Sequence, residues 1–155
     1  MKTHTHQLCT FHVDQLNLGI NVQQVQEVIR YQKMTRVPLA PDAISGLINL
    51  RGQIVTALDL RCRLGLAPRG ENELPMNVVV RDGENGVSLL VDRIGDVVEV
   101  DDELFEPPPA TVHKNVRGLI RGAYKLSDRL LLVLDTARVL DECDARSGTE
   151  ARLAS

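Results

Sequence analysis

Few side chains in this sequence have the types and spacing that metal binding or covalent catalysis needs. Three histidines near the beginning, His4, His6 and His12, would suit a metal ion, but no carboxylate is placed to orient an imidazole. We interpret them as unrelated histidines. The cysteines are far apart and form no CxxC pair: Cys9, Cys62 and Cys143. No Ser/His/Asp set or paired carboxylate is apparent, so the sequence predicts neither an enzyme, nor a cofactor, nor a metal site.

Cys62 has the most suggestive surroundings of the three cysteines, because Arg61 and Arg63 flank it. Nearby positive charge lowers a thiol pKa and makes the sulfur more reactive. The alternative, which we favour, is that Cys62 is a small buried hydrophobic residue on a short helix.

Composition narrows the class of protein. A length of 155 residues with 43% hydrophobic content fits one globular domain, and 3% aromatic content requires a core of Val, Leu and Ile, which favour strands. The net charge of -3, with acidic and basic residues interspersed, is not that of a nucleic-acid-binding protein. No apolar run approaches the ~20 residues of a membrane span, and the polar start does not resemble a signal peptide. We expect a soluble cytoplasmic protein without membrane insertion.

The segment 44–55, ISGLINLRGQIV, is the most informative part of the chain. It predicts strands at 47–50 and 53–58, joined by a tight turn in which Gly52 takes a positive φ. The later segment 118–122, GLIRG, repeats part of it, and both copies lead to a strand that ends in Leu-Asp before a short helical pattern. This repetition predicts two related β units that offer surfaces to partners.

The remaining pattern predicts strands and a few short helices. The other strands are expected at 7–13, 16–20, 76–80, 87–91, 96–100, 116–124 and 130–134. Helices are expected from Asn21 to about Tyr31, over one turn from Pro41 to Gly46, at 59–64 and at 135–140. We predict a mostly β fold of two small barrels that share an apolar seam, because closure removes exposed sheet edges.

The loop 67–75, rich in Pro, Gly and Asn, is the predicted linker between the halves. The domain spans 7–140, with a first barrel at about 14–75 and a second at 76–140, while the N-terminal strand pairs with either. Residues 141–155 are predicted to be a flexible C-terminal tail.

Four segments together resemble the CheW family of chemotaxis coupling proteins. They are VQQVQEVIR at 22–30, TRVP at 35–38, GLINLRG at 46–52 and LDL at 58–60, and the resemblance extends over about residues 7 to 140. It implies two five-stranded SH3-like barrels and no enzymatic activity. It also implies an adaptor that joins the cytoplasmic tips of chemoreceptors, the methyl-accepting chemotaxis proteins, to the histidine kinase CheA, whose regulatory domain looks like CheW itself.

The resemblance also implies roles for particular residues. The groove between the halves would meet the receptor through Val22, Val25, Glu27, Val79 and Val97. The side facing the kinase would carry Met34, Thr35, Arg36 and Gly46. The signature turn consists of Asn49, Leu50, Arg51 and Gly52. Arg51 either engages a partner, as arginine often does at interfaces, or packs over the hairpin and bonds a loop carbonyl.

Two alternative functions remain at this point. Arg93 stands where the family frequently has a small residue, so the protein could serve a non-flagellar chemosensory array, for pili or surface sensing. More remotely, a small β-barrel could bind a small ligand. In either array the expected location is cytoplasmic, at membrane-associated receptor arrays.

Overall fold

The computed structural model describes residues 5–82 and 85–140, with only the backbone at position 85. In chain order its strands are β1 (Thr5–Val13), β2 (Leu16–Asn21), β3 (Val25–Ile29), β4 (Ile44–Leu50), β5 (Gln53–Asp59), β6 (Met76–Asp82), β7 (Asn85–Val91), β8 (Arg93–Asp101), β9 (Ile120–Lys125) and β10 (Leu130–Leu134). Its short helices are α1 (Leu60–Arg63), α2 (Lys114–Arg117), 3-10 turns at Val22–Gln24 and Asp102–Leu104, and a helical segment at 136–140. The predicted class, mostly β with two five-stranded units and short helices, is confirmed.

The two sheets of the described residues repeat one pairing scheme. Sheet A has the order β8-β1-β2-β10-β9, and sheet B has the order β3-β6-β7-β5-β4. In each sheet one parallel pair, β2 with β10 or β7 with β5, lies among antiparallel pairs. The units are therefore related in space, although their strands follow different orders along the chain.

The sequence repeat maps onto equivalent edge strands, β4 in sheet B and β9 in sheet A. Each contains an Ile-x-Gly segment, at 44–46 and 120–122, and each has a register irregularity there. The equivalent pairs are Ile44 with Leu58, Ile120 with Leu134, Gly46 with Ala57 and Gly122 with Val133. Thus GLIRG aligns with the start of β4 and not with the NLRG turn.

Apolar residues from both sheets form a shared core between them. Its fully buried members include Phe11, Leu18 and Ile20 from sheet A and Val78, Leu89 and Val91 from sheet B. Each sheet also has a smaller core of its own, around Leu8 and Leu131 in sheet A and around Ile48, Ala57 and Leu90 in sheet B. The apolar seam predicted from the sequence is therefore present.

The sheets do not divide at the predicted boundary near residue 75. Strands β6 and β7 follow that position but complete sheet B, because β7 pairs in parallel with β5. The loop 67–75 consequently connects two strands of one sheet, and β1 pairs with both β2 and β8. The predicted tail, 141–155, lies outside the described residues.

Two predicted helical segments are wrong. Asn21 does cap a turn, since its Oδ1 accepts a hydrogen bond from the Gln23 amide at 2.9 Å, but the turn ends at Gln24 and a strand follows. That strand, β3, satisfies its backbone by pairing with β6, which outweighs its helical spacing. Pro41 likewise begins only a tight turn, closed by the Ile44 amide at 2.9 Å, before β4 starts.

The region 114–117 is helical instead of the start of a strand, with His113 Nδ1 accepting a hydrogen bond from the Asn115 amide at 3.1 Å. The predicted caps at Asp59 and Asp135 are confirmed, because each carboxylate accepts a hydrogen bond from a backbone amide of the next turn, at 3.0 and 3.2 Å. Within the described residues no helix has both the length and the apolar character to span a membrane.

Candidate partner-binding surfaces

The β4–β5 hairpin closes through a two-residue turn at Arg51 and Gly52, whose φ angles are 51° and 89°. Positive φ at both central residues defines a type I′ turn, which matches the twist of the flanking strands. Asn49 Oδ1 accepts a hydrogen bond from the Gly52 amide at 3.0 Å. The predicted conformation of Gly52 is confirmed. The left-handed conformation of Arg51, unusual for a residue with a Cβ, was not predicted.

Arg51 forms an ion pair with Glu27 on β3, Nη2 to Oε2. The arginine side chain is 77% exposed, whereas that of Glu27 is 20% exposed. The sequence analysis considered a loop carbonyl as one possible partner of Arg51. The structure instead shows the carboxylate of Glu27, one of the residues expected to meet the receptor. Because β3 and β4 are opposite edges of sheet B, this pair also shows that the sheet curves back on itself, as a barrel does.

Three apolar residues of the predicted groove, together with Val28, are partly or largely exposed, and we call Val22, Val25, Val28 and Val97 the rim. On β3, Val25 and Val28 pair with Val80 and Val78 of the shared core, and Val25 packs against it. On sheet A, Val97 on β8 pairs with Cys9 and is 58% exposed. Val22 lies half-buried in the adjoining 3-10 turn. The rim therefore draws residues from both sheets, and Val28 is an addition that the sequence analysis missed.

Val79 differs from the expectation for the groove. It is fully buried and lies between Val78 and Val80, which face the shared core, so strand alternation directs Val79 to the opposite face. Its register partner on β3 is Glu27. Val79 can therefore support Glu27 from within sheet B, but it is not accessible to a partner. Sequence alone could not reveal which face of β6 is covered.

The residues assigned to the kinase side are brought together along β4. Thr35 forms a one-residue bridge to Leu47, with both N–H···O distances at 2.8 Å. Gly46 lies directly beneath this bridge, and Met34 packs against the small core of sheet B. Thr35 and Arg36 are exposed. The four residues thus form one continuous surface, which we call the bridge surface.

An apolar turn beyond Arg36 extends the bridge surface. Leu39 has a φ of 63° and is 94% exposed, in a turn closed by the Ala40 amide on the Val37 carbonyl at 3.3 Å. Proline at position 38 followed by a positive φ is the pattern of a type II turn, which favours glycine where Leu39 stands. A strained, exposed leucine is a notable addition to the surface. In the sequence, Pro38 followed by Leu39 is the feature from which this turn could have been predicted.

The groups that could do chemistry are Cys9, His12 and Cys62, and of these Cys9 is the register partner of Val97 in the rim. Burial raises the pKa of the Cys9 thiol, and burial, followed by the charges of Arg93 and Arg129, lowers the pKa of His12. Cys62 on α1 is exposed, so its predicted burial is wrong. In the described part of the chain, no group of three or more His, Cys, Asp or Glu side chains is arranged to hold a metal ion.

Arg93 lies at the beginning of β8, paired with His12, four residues before Val97. At about 3.3 Å per residue, that separation is about 13 Å along the strand. Arg93 is exposed and outside the rim as defined by its apolar residues. Its charge therefore gives no reason to prefer a non-flagellar array.

Two β units that share a core and display a curved edge, a rim and a bridge surface define a protein of the scaffold class. The family described as the CheW-like domain matches residues 7–144, so this chain belongs to the CheW family. It is accordingly a scaffold or adaptor of chemotaxis signalling.

Relatives and a solved structure agree with this membership. The chain is 32% identical over 140 residues to the chemotaxis protein CheW of Bacillus subtilis, covering 90% of each chain. It is 31% identical over 122 residues to that of Klebsiella aerogenes, covering 79% of this chain and 74% of the relative. The crystal structure of the scaffolding protein TtCheW from Thermoanaerobacter tengcongensis is similar, with a TM-score of 0.76 at 27% identity, over 85% of this chain and 90% of that one.

Proposed function

We propose that this protein couples the cytoplasmic tips of chemoreceptors to the histidine kinase CheA by binding both, without catalysing a reaction itself. The observation that carries the proposal is the presence of two distinct surfaces on one scaffold. The bridge surface lies along β4, whereas the rim takes Val25 and Val28 from β3, the opposite edge of sheet B, and Val97 from β8 of sheet A. Surfaces on different strands allow two partners to be held at once in a fixed geometry.

The rim is the proposed receptor surface. Its exposed valines border an apolar seam, and an amphipathic helix binds by laying its apolar face into such a groove. The Arg51–Glu27 pair lies next to this surface along β3, and exposed Arg51 offers a polar group to a partner at its border. Binding receptors in this way would place the protein at membrane-associated arrays.

The bridge surface is the proposed kinase surface. Its edge strand, β4, is only partly covered, because the bridge is a single residue long. Exposed Arg36 lies beside that edge, and arginine is among the residue types enriched in interface hot spots. Exposed Leu39 adds apolar surface that a partner can bury. The regulatory domain of CheA, a β domain resembling this protein, is the proposed partner for that edge.

The test is calorimetric titration with the CheA regulatory domain and, separately, with a receptor cytoplasmic fragment, followed by titration with both together. We expect Arg36→Glu to weaken kinase binding and spare the receptor, and Val97→Asp to do the reverse. Arg129→Glu reverses an exposed charge on sheet A and serves as the control for Arg36→Glu. Absence of binding by the folded wild-type protein to either partner would reject the proposed coupling, and loss of both affinities in each variant would reject separate surfaces.

A further inference from the structure

The chain crosses from sheet B to sheet A through a single residue, Asp92, between the end of β7 and the start of β8. Its backbone amide donates a hydrogen bond to the His12 carbonyl of β1 at 2.9 Å. A residue at this crossing influences how one sheet is oriented on the other, because few atoms separate the two strands there.

The Asp92 carboxylate is held from both sheets. On the sheet B side, Arg61 of α1 donates to it from Nε at 3.0 Å and from Nη2 at 2.7 Å, and Arg69 donates from Nε at 2.9 Å. On the sheet A side, the amide of Asp14, in the β1–β2 turn, donates to Oδ2 at 2.6 Å. One carboxylate at the crossing therefore ties α1 and the loop 67–75 to the turn of the other sheet.

The cluster is largely shielded from water. The side chains of Arg61, Arg69 and Asp92 are 12%, 9% and 14% exposed. Arg61 also donates to the Ala67 carbonyl at 2.9 Å, and Arg69 reaches Asp59 at 3.4 Å. Well-packed apolar residues often give as much stability as a buried ion cluster, so one use for such a cluster is to specify a single arrangement.

We propose that this cluster, the clasp of Asp92, Arg61, Arg69 and the Asp14 amide, fixes the angle between sheets A and B and so sets the width of the receptor-facing rim. The rim takes Val25 and Val28 from sheet B and Val97 from sheet A, so its shape depends on that angle. The bridge surface belongs wholly to sheet B and its connections. Asp92 is thus a positioning residue for the receptor and not for the kinase. The assignment of Asp92 to receptor binding rests on the proposed function.

The main test variant is Asp92→Asn, which keeps the side-chain shape and an acceptor for the Asp14 amide but removes the charge between the two arginines. Arg69→Gln is a milder second variant. Asp128→Asn is the control, because that carboxylate is 71% exposed and pairs only along the surface with Arg129. Urea unfolding first establishes that each variant is folded.

The direct readout is the distance between spin labels on exposed positions of β3 and β8, placed with Gln26→Cys and Glu99→Cys in a background without native cysteines. We expect Asp92→Asn to broaden or shift the distance distribution, whereas Asp128→Asn leaves it unchanged. The receptor-fragment affinity of Asp92→Asn should fall about tenfold, as positioning residues outside a contact surface can produce, while CheA regulatory domain affinity changes less than about twofold.

An unchanged distance distribution in folded Asp92→Asn would overturn the inference, as would equal loss of both affinities without any change in distance. If Asp92→Asn does not fold, Arg69→Gln decides by the same two readouts. If the wild-type protein does not bind the receptor fragment, the proposed coupling fails, but the distance measurement still decides whether the clasp fixes the angle.

Discussion

Gly46→Ala is the sharpest test of how the bridge surface is built. A Cβ at this position would lie 2.6 Å from the Thr35 carbonyl oxygen and 3.2 Å from the Met34 Cβ. Ordinary van der Waals contact begins at 3.4 Å, so the passing segment must move by about 0.8 Å. The Leu47 amide bond to the same oxygen, now 2.8 Å, would then lengthen to about 3.6 Å, beyond hydrogen-bonding distance.

The expected cost is the loss of one or both bridge hydrogen bonds. At about 0.5–1.5 kcal/mol each, the pair contributes about 1–3 kcal/mol to the free energy of unfolding. Replacing glycine by alanine also restricts the unfolded chain, which stabilises by about 0.4–1 kcal/mol. Gly118→Ala is a matched control, because its Cβ would meet nothing closer than 3.7 Å. The difference between the two variants therefore contains the clash and, as a smaller contribution, the better fit of alanine to the helical conformation of Gly118 than to a strand.

The assay combines urea unfolding with amide hydrogen exchange. We expect Gly46→Ala to be about 0.5–3 kcal/mol less stable than Gly118→Ala, with faster exchange at the Thr35 and Leu47 amides. Kinase-domain affinity should fall in the same variant, because the bridge positions Arg36. Equal stability of the two alanine variants, with both amides still protected, would refute the reasoning.

Three further predictions concern other groups. Arg51→Ala should lower the free energy of unfolding by less than about 1 kcal/mol, since water screens the charge of the largely exposed arginine, yet it should weaken receptor binding by calorimetry; a large loss of stability would contradict the first part. Although burial alone would raise the pKa of Asp92, hydrogen bonds from Arg61, the Asp14 amide and Arg69 lower it to about 2 from an ordinary 3.8. That shift contributes about 2 kcal/mol to the free energy of unfolding above about pH 4, and the contribution is lost as the pH falls toward 2. The free energy of unfolding, measured by circular dichroism at a series of pH values, should therefore fall less steeply below about pH 4 in Asp92→Asn than in wild type. In the native protein, iodoacetamide should modify exposed Cys62 faster than buried Cys9, as peptide mass spectrometry would show, and equal rates would contradict their burial.

Local signals predicted the hairpins well. The strands around the Asp14 turn and the Arg51–Gly52 turn were expected within a few residues, because apolar runs flanking tight turns specify such pairs. The caps at Asp59 and Asp135 were also visible, since a capping carboxylate acts on the residues beside it. These features depend on neighbours in sequence, which is why the sequence sufficed.

Long-range pairing explains the errors. VQEVI at 25–29 has its apolar residues at positions 25, 28 and 29, which is the spacing of a helix, and only pairing with β6 selects the strand. The parallel contact of β5 with β7 leaves no turn signal, so the boundary at residue 75 was misplaced. The Arg51–Glu27 pair and the clasp join residues 24 and 31 positions apart, and no local pattern indicates such contacts.

Sheet B is one continuous stretch from Val25 to Val91, whereas sheet A is assembled from chain on either side of it. On a ribosome, sheet B can close as soon as Val91 has emerged, but sheet A cannot be completed until Leu134 has emerged. At about 5–20 residues per second that delay is roughly 2 to 9 seconds. During it, the β1–β2 hairpin can cover Phe11 and Ile20 against sheet B and can pair with β8, which is complete at Asp101. Sheet B thus serves as the template on which the last strands to be synthesised find their places.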